Sequence, residues 1–251
     1  MPTPFYHLHV AEDLLNHPDL TDPAFSILKT YRGEFFLGNT APDVQTVSGQ
    51  DRRVTHFFDL PIRTGAAPAW EKMLALNPSL IRPANLPPSQ AAFLAGYLCH
   101  LQADWLWVLE IFAPVFGPAN TWKFFEQRLY LHNVLRSYLD GKIIGSLPSG
   151  MGTDLRLASP AGWLPFVEDV YLCQWRDFLA QQLQPGALVR TVEVFAARQG
   201  IPAEAYYQLI NSEERLDREI FVRLPRKVLV EYRQRLLEKN VGLIHAYFLG
   251  A

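Results

Sequence analysis

The chain has 251 residues, 49% of them hydrophobic, which is enough to bury one large core without requiring a second domain. Its 23 basic and 25 acidic residues are spread along the sequence and give a formal net charge of −2, so charge does not indicate nucleic-acid binding. Only Cys99 and Cys173 are present, which argues against a disulfide framework or a cysteine zinc ribbon.

Apolar residues recur at helical spacing along most of the chain, whereas alternating runs bounded by hairpin turns are scarce. We therefore predict an all-α fold, a single multi-helix domain over 1–251 with a metal-site half at about 1–143 and a helical C-terminal half at about 160–251. In chain order, helices are predicted at about 5–17, 23–31, 68–76, 90–112, 119–140, 163–184, 189–199, 203–211, 214–222 and 226–247.

Two segments lack the helical pattern and are predicted to be loops. Gly33 to about Arg63 is long for a structureless loop, and loops of that length inside compact domains tend to be functional or disordered. The linker at 141–162 is rich in Gly, Pro and Ser. Between them, the helix at about 90–112, capped by Ser89 or a neighbour, is the predicted central helix.

The first residues and the most apolar segment indicate where in the cell the protein is expected. The first residues lack both a basic start and an uninterrupted apolar run, so they do not resemble a secretory signal and we expect a cytoplasmic protein. The most apolar segment carries His100, Asp104 and Glu110, so it falls short of the roughly 18 uncharged apolar residues of a membrane helix. We predict no transmembrane segment.

The central helix contains a pair of metal-ligand residues. His100 and Asp104 are four residues apart, which places their Cβ atoms about 5–6 Å apart on one helical face, within reach of a single ion. A carboxylate in so apolar a helix is costly to ionise unless it is paired or coordinated, and this segment has no lysine or arginine nearby. The alternative is a neutral histidine hydrogen-bonded to a carboxylate in the core.

Three further candidates lie upstream. Asp43 follows a proline in LGNTAPDV and His56 precedes two phenylalanines in RVTHFFD, although alone each also fits a turn residue or a hydrogen-bonded core residue. His7 and His9 are two residues apart on the first helix and so point about 200° apart, which lets at most one face a given site.

Together these motifs resemble the zinc-dependent phospholipase C family, whose all-helical fold is shared with certain single-strand nucleases. The matching elements, in order, are the histidine in HLHVAEDLL, the FLGNTAPDV loop, the THFF histidine and the GYLCHLQAD helix, over about the first 140 residues. The resemblance implies that Asp43, His56, His100 and Asp104 hold one zinc, that Asp104 can bridge to a neighbouring ion, and that His7 lies at another zinc.

The second zinc site of the family departs from its pattern in this chain. The family places a histidine six residues after the bridging aspartate and a His-x-x-x-Glu pair on the next helix, where this sequence has Glu110, His132 and Arg136. Glu110 and His132 remain candidate ligands, but a guanidinium has no lone pair to offer, and Asp140 compensates only partly. We therefore expect one or two ions of zinc, or of another divalent metal. Arg136 either holds a phosphate or pairs helices.

Such a site fits the hydrolysis of phosphodiester bonds, with a phospholipid or another phosphoester as substrate and Asp43 as general base. The alternatives are a non-catalytic helical protein with a structural metal, and a metal-free core network of hydrogen bonds. Aromatic residues near the predicted site either line an apolar substrate cleft or belong to the core; they are Phe57, Phe58, Trp105, Trp107, Phe112, Phe116, Trp122 and Phe124.

Overall fold

The computed structural model describes residues 1–118, 120 and 124–249. Every regular element among these residues is a helix, so the predicted all-α fold is confirmed. Short 3-10 turns lie at Ala41–Val44, Pro78–Leu80, Pro83–Asn85 and Ile144–Ser146, and π-helical turns at Val108–Phe116 and Asp217–Phe221. The α-helices are α1 (Pro4–Leu15), α2 (Ala24–Thr30), α3 (Arg32–Gly38), α4 (Gln45–Ser48), α5 (Arg52–His56), α6 (Ala69–Leu76), α7 (Pro88–Trp107), α8 (Phe125–Ile143), α9 (Met151–Leu157), α10 (Asp169–Gln182), α11 (Thr191–Gln199), α12 (Ala203–Ile210), α13 (Glu213–Leu216) and α14 (Arg226–Leu249).

The segments predicted as loops contain helices, and these two predictions are wrong. The first holds α3, α4 and α5, and the second holds α9. Helices of four to seven residues are too short to show a helical repeat. In α3 the buried residues also surround the axis, so the helix lacks the polar face by which amphipathic helices are recognised.

The start of the helix predicted at about 119–140 also differs. In the structure α8 begins at Phe125 and ends at Ile143, while residues 119 and 121–123 lie outside the described part of the chain. For α7, predicted to be capped by Ser89 or a neighbour, Pro87 occupies the N-cap position and Pro88 begins the helix. Proline suits this position because the first N–H of a helix has no partner within the helix.

The central helix α7 is buried over almost its whole length. From Ala91 to Trp107 only Gln102 is not fully buried, which explains why its sequence is apolar on every side. None of the described helices, α7 included, has the length and apolarity needed to cross a membrane.

Helices α3 and α7 pack closely because each presents glycine to the other. A Cβ atom on Gly38 would lie 1.9 Å from the backbone oxygen of Phe93, and one on Gly96 would lie 2.3 Å from the backbone oxygen of Phe35. These distances are below any real Cβ contact, so glycine is required at both positions. The contact brings Asn39, at the end of α3, against the middle of α7.

The C-terminal half packs against the same core. Trp175 of α10 donates a hydrogen bond to the backbone oxygen of Thr40 at 2.8 Å, and Tyr232 of α14 donates one to that of Ala103 at 2.9 Å. All of these groups are buried. The central helix is therefore enclosed by elements from both halves of the chain.

Candidate metal centre

Five polar side chains from four elements meet inside the fold. His7 comes from α1, Asp43 from the 3-10 turn at Ala41–Val44 and His56 from the end of α5, while His100 and Asp104 lie one turn apart on α7. The four other than Asp43 are at most 1% exposed, whereas the Asp43 side chain is 20% exposed. The structure thus brings together five of the seven predicted ligands.

Local interactions hold two of the contributing helices. The hydroxyl of Thr3 caps α1, and the carboxylate of Asp51 caps α5, each by accepting a hydrogen bond from a backbone N–H of the first turn. Phe57 ends α5 with a left-handed backbone conformation (φ 61°), which turns the chain away immediately after His56. On α1, His7 faces the cluster while His9 contacts Ser146 and Arg233, as their spacing predicts.

The nitrogen and oxygen atoms of the cluster lie within a few ångströms of one another. Asp104 is central: its Oδ1 is 3.5 Å from His7 Nε2, and its Oδ2 is 3.4 Å from His56 Nε2 and 3.9 Å from His100 Nε2. His56 Nε2 is also 3.5 Å from Asp43 Oδ1. The rings of His7 and His100 stack with centroids 3.8 Å apart.

Several of these atoms are buried and have no hydrogen-bond partner among the described residues, namely the Nε2 atoms of His7, His56 and His100 and the Oδ1 atom of Asp104. Each such atom costs about 1–3 kcal/mol when it remains unpaired. His100 Nδ1 donates to the backbone oxygen of Asn39 at 2.8 Å, which leaves the Nε2 lone pair for another partner. Imidazole nitrogens and carboxylate oxygens are the donors that zinc takes in proteins. The residues therefore fit a divalent metal.

Two sets of ligand atoms each lie within 4.8 Å of one another: His7, His100 and Asp104, and Asp43, His56 and His100. His100 belongs to both sets, but its Nδ1 is already engaged and its single Nε2 lone pair can serve only one ion. The arrangement therefore accommodates one ion that uses His100, or two ions of which one is held without it.

The ionisation of these groups suits metal binding. Burial lowers the pKa of His56, and it lowers that of His100 to about 3, so both imidazoles are neutral at pH 7. Burial alone would raise the pKa of Asp43 and Asp104. At both carboxyls the histidine neighbours together outweigh burial, with a smaller contribution from Arg52 at Asp104, and the pKa values of Asp43 and Asp104 lie below the ordinary range. Neutral histidines and ionised carboxylates are the forms that ligate metals.

Arg52 belongs to the cluster but is missing from the sequence prediction. Its Nη2 atom donates to Asp104 Oδ2 at 2.7 Å, so the carboxylate has a basic partner from α5 although α7 itself offers none. The guanidinium also lies 4.7 Å from the ring centroid of Phe58. The signal that could have identified Arg52 is its position four residues before His56, on the same face of α5.

The remaining two predicted ligands, Glu110 and His132, lie outside the cluster. Glu110 is in the π-helical turn after α7 and forms an ion pair with Arg235 of α14 at 2.7 Å. The Nε2 atom of His132 accepts a hydrogen bond from Trp107 Nε1 at 3.0 Å, so its lone pair is occupied. Asp140 does not join the cluster either, because it accepts hydrogen bonds from Thr3 and Thr191.

Of the aromatic residues predicted near the site, some lie beside the metal-ligand cluster and others lie in the core or at the surface. Phe58 meets His56 edge-on with ring centroids 6.4 Å apart, and Trp105 packs edge-on against Phe58. Trp107 and Phe116 are wholly buried core residues, whereas Phe124 is 57% exposed at the surface. Trp122 lies outside the described residues.

A cavity of about 330 Å³ lies beside the cluster. Asp43 and Arg52 line it, together with apolar side chains that include Phe5, Trp175 and Phe178. Asp43 is thus both a member of the cluster and a wall of the cavity. A small molecule in the cavity would meet the metal centre from the side of Asp43.

Comparison with known families gives one finding. The model of the family described as zinc dependent phospholipase C matches residues 6–144, a range that contains the whole cluster and more than half of the chain. Comparisons with curated proteins and with solved structures give no match.

Proposed function

The chain belongs to the zinc-dependent phospholipase C family, and from this premise we propose that it is a metal-dependent hydrolase of phosphodiester bonds, with phospholipids as the substrate class. One observation carries the proposal: unpaired metal-ligand atoms are buried together next to a cavity, and Asp43 faces both. The family match supports zinc as the metal, with other divalent ions as alternatives.

In this proposal His7, Asp43, His56, His100 and Asp104 hold one or two ions. Bound zinc polarises a phosphoryl oxygen and makes water a better nucleophile at neutral pH. The protein orients the ligands: the Asn39 carbonyl fixes the ring of His100, and Arg52 fixes the carboxylate of Asp104.

Asp43 is the proposed general base. Its carboxylate is the most exposed of the five, and it lines the cavity that a substrate would enter. Because its pKa is held below the ordinary range, it is ionised throughout the neutral range and can accept a proton from the attacking water. The apolar walls of the cavity suit the hydrocarbon part of a lipid ester.

A non-catalytic protein with a structural metal is the second candidate. It is favoured by the deep burial of four ligands and by the loss of the second site of the family, where Arg136 replaces a ligand and Glu110 and His132 lie elsewhere. A closed set of ligands would then add folding free energy without turnover. The cavity beside Asp43 favours the enzyme.

Asp43→Asn separates the two functions. In the zinc-supplemented protein we expect the variant to hydrolyse phosphodiester and phospholipid substrates about 10²–10⁴-fold more slowly than the parent, because the amide cannot accept the proton. The measurement is the initial rate of hydrolysis, taken together with the metal content of each sample.

Asp19→Asn, at an exposed carboxylate on the loop after α1, is the matched control and should keep the parent rate. Full metal content in the parent without hydrolysis of any diester would support the structural metal. An Asp43→Asn variant that keeps both metal and full activity would refute the assigned base.

A further inference from the structure

The cavity beside the metal centre carries positive charge. Four arginines line it, Arg52, Arg136, Arg190 and Arg198, while Asp43 is the one acidic residue among the described residues that do so. Arg52 forms an ion pair with Asp104, but no carboxylate of the described residues lies within 4 Å of the guanidinium groups of Arg136, Arg190 and Arg198. Such a set attracts anions, and a bound divalent ion would add to its charge.

Arg136 has hydrogen-bond donors that the protein does not fill. Its Nη1 atom donates to the backbone oxygen of Met1 at 3.1 Å and its Nη2 atom to Asn133 Oδ1, but its buried Nε atom has no partner in the part of the chain that the structure describes. The guanidinium carbon lies 4.1 Å from the ring centroid of Phe195. Burial lowers the pKa of Arg136 to about 10, so the side chain remains charged at neutral pH.

The other two free arginines come from one stretch of chain. Arg190 immediately precedes α11 and Arg198 lies near its end, and both side chains are exposed. Arg198 makes one long hydrogen bond, to Thr46 Oγ1 at 3.4 Å, which places it beside the turn that carries Asp43. The positive charge therefore extends from the half-buried Arg136 to the solvent-exposed side of the cavity.

We propose that Arg136, Arg190 and Arg198 form a phosphate-binding site, so that the preferred substrate carries a second anionic phosphate in addition to the phosphoester at the metal centre. The second phosphate on the substrate rests on the proposed function, whereas the phosphate-binding site does not. A guanidinium offers paired donors that match phosphate oxygens, and an unfilled buried donor gains most from such an acceptor. A cationic head group would be disfavoured here, because it would face three unpaired positive charges.

The test is binding of inorganic phosphate to the full-length protein, measured by isothermal titration calorimetry at low ionic strength, with and without zinc. We expect Arg136→Gln to weaken binding at least about tenfold, as expected for loss of a hydrogen-bonding charged partner. The double variant Arg190→Gln/Arg198→Gln, at exposed positions, should weaken it about threefold or more. Arg136→Lys should restore only part of the affinity, since it keeps the charge and loses the paired donors.

Arg156→Gln, at an exposed arginine of α9 that does not line the cavity, is the matched control and should bind phosphate like the parent. Equal affinity in the parent, the double variant and the Arg136 variant would overturn the proposal, as would absence of phosphate binding by the parent. If Arg136→Gln does not fold by circular dichroism, the double variant decides.

Two further binding experiments identify the kind of molecule that carries the bound phosphate. Retention of phosphatidate-containing vesicles by the parent, lost in the arginine variants, would assign it to a lipid head group. Binding of glycerol phosphate without vesicle retention would assign it to a soluble ester. Because binding is measured without turnover, a phosphate site in a protein that hydrolyses nothing refutes the enzyme alone. Hydrolysis rates unchanged by the arginine substitutions would refute the second phosphate on the substrate and leave the proposed enzyme standing.

Discussion

At Asp104 a single carboxylate contacts Arg52 and lies within 4 Å of three imidazole nitrogens. Among the described residues only the arginine donates a direct hydrogen bond to this carboxylate, and the Oδ1 atom has no partner there. A buried carboxylate with one oxygen in an ion pair and the other oxygen without a partner is oriented by the arginine and still offers a ligand atom. This is the condition expected of a metal ligand whose geometry is set before the ion binds.

Asp140 is a residue whose ionisation should oppose folding. Burial raises the pKa of Asp140 to about 6, so between about pH 4 and pH 6 the folded chain retains a proton that the unfolded chain has released. The free energy of unfolding therefore falls as the pH rises through this window. Asp140→Asn removes the titration, and we expect the loss of stability between pH 4 and pH 7 to shrink by roughly 2 kcal/mol.

Urea unfolding at several pH values measures this effect. Asp177→Asn, at an exposed aspartate of α10, is the control and should keep the pH dependence of the parent. If Asp140→Asn also follows the parent curve, the buried carboxyl does not titrate in this window.

At the scale of helices, the position of His100 depends on the contact between α3 and α7. Gly38 and Gly96 permit the close approach, and the carbonyl of Asn39 at the end of α3 then accepts the hydrogen bond that orients His100. A glycine inside a helix is unfavourable by itself. Its presence in the middle of α7 is explained by the contact with α3.

Gly96→Ala should therefore destabilise the fold by about 1–3 kcal/mol, because the new methyl group overlaps the backbone of α3. The matched change is Gly141→Ala in α8, where a Cβ atom would meet nothing within 4 Å. That variant should gain roughly 0.5–1 kcal/mol from helix propensity. Chemical denaturation compares the two, and a neutral Gly96→Ala would contradict the close packing.

At the scale of the whole molecule, local spacing in the sequence predicted the long helices and the His100–Asp104 pair, whereas the resemblance to the family implied the other three clustered ligands. His100 and Asp104 share one helical face, and His7, Asp43 and His56 lie in short motifs. For Arg136 the sequence left open a phosphate-holding or a helix-pairing role, whereas Arg52, Arg190 and Arg198 were not predicted as site residues, since tertiary contacts alone bring them to the cavity. Glu110 and His132 are of residue types that bind metals. In the fold, however, Glu110 forms an ion pair with Arg235, and His132 accepts a hydrogen bond from Trp107.

The single domain predicted from composition remains a prediction, and the packing supports it. Trp175 and Tyr232 from the C-terminal half donate to backbone atoms beside the cluster. We therefore expect one cooperative unfolding transition, with calorimetric and van't Hoff enthalpies that agree. Two separated transitions in the calorimeter would show that the halves fold independently.

The most direct test of the metal centre is the metal content per chain, measured by elemental mass spectrometry on protein purified without a histidine tag. We predict one or two equivalents of zinc, or of another divalent metal, in the parent and a sharp loss in His100→Ala and in Asp104→Ala. His17→Ala and His245→Ala change histidines outside the cluster and should retain the metal. Equal metal content in all four variants, or none in the parent after reconstitution, would contradict the account.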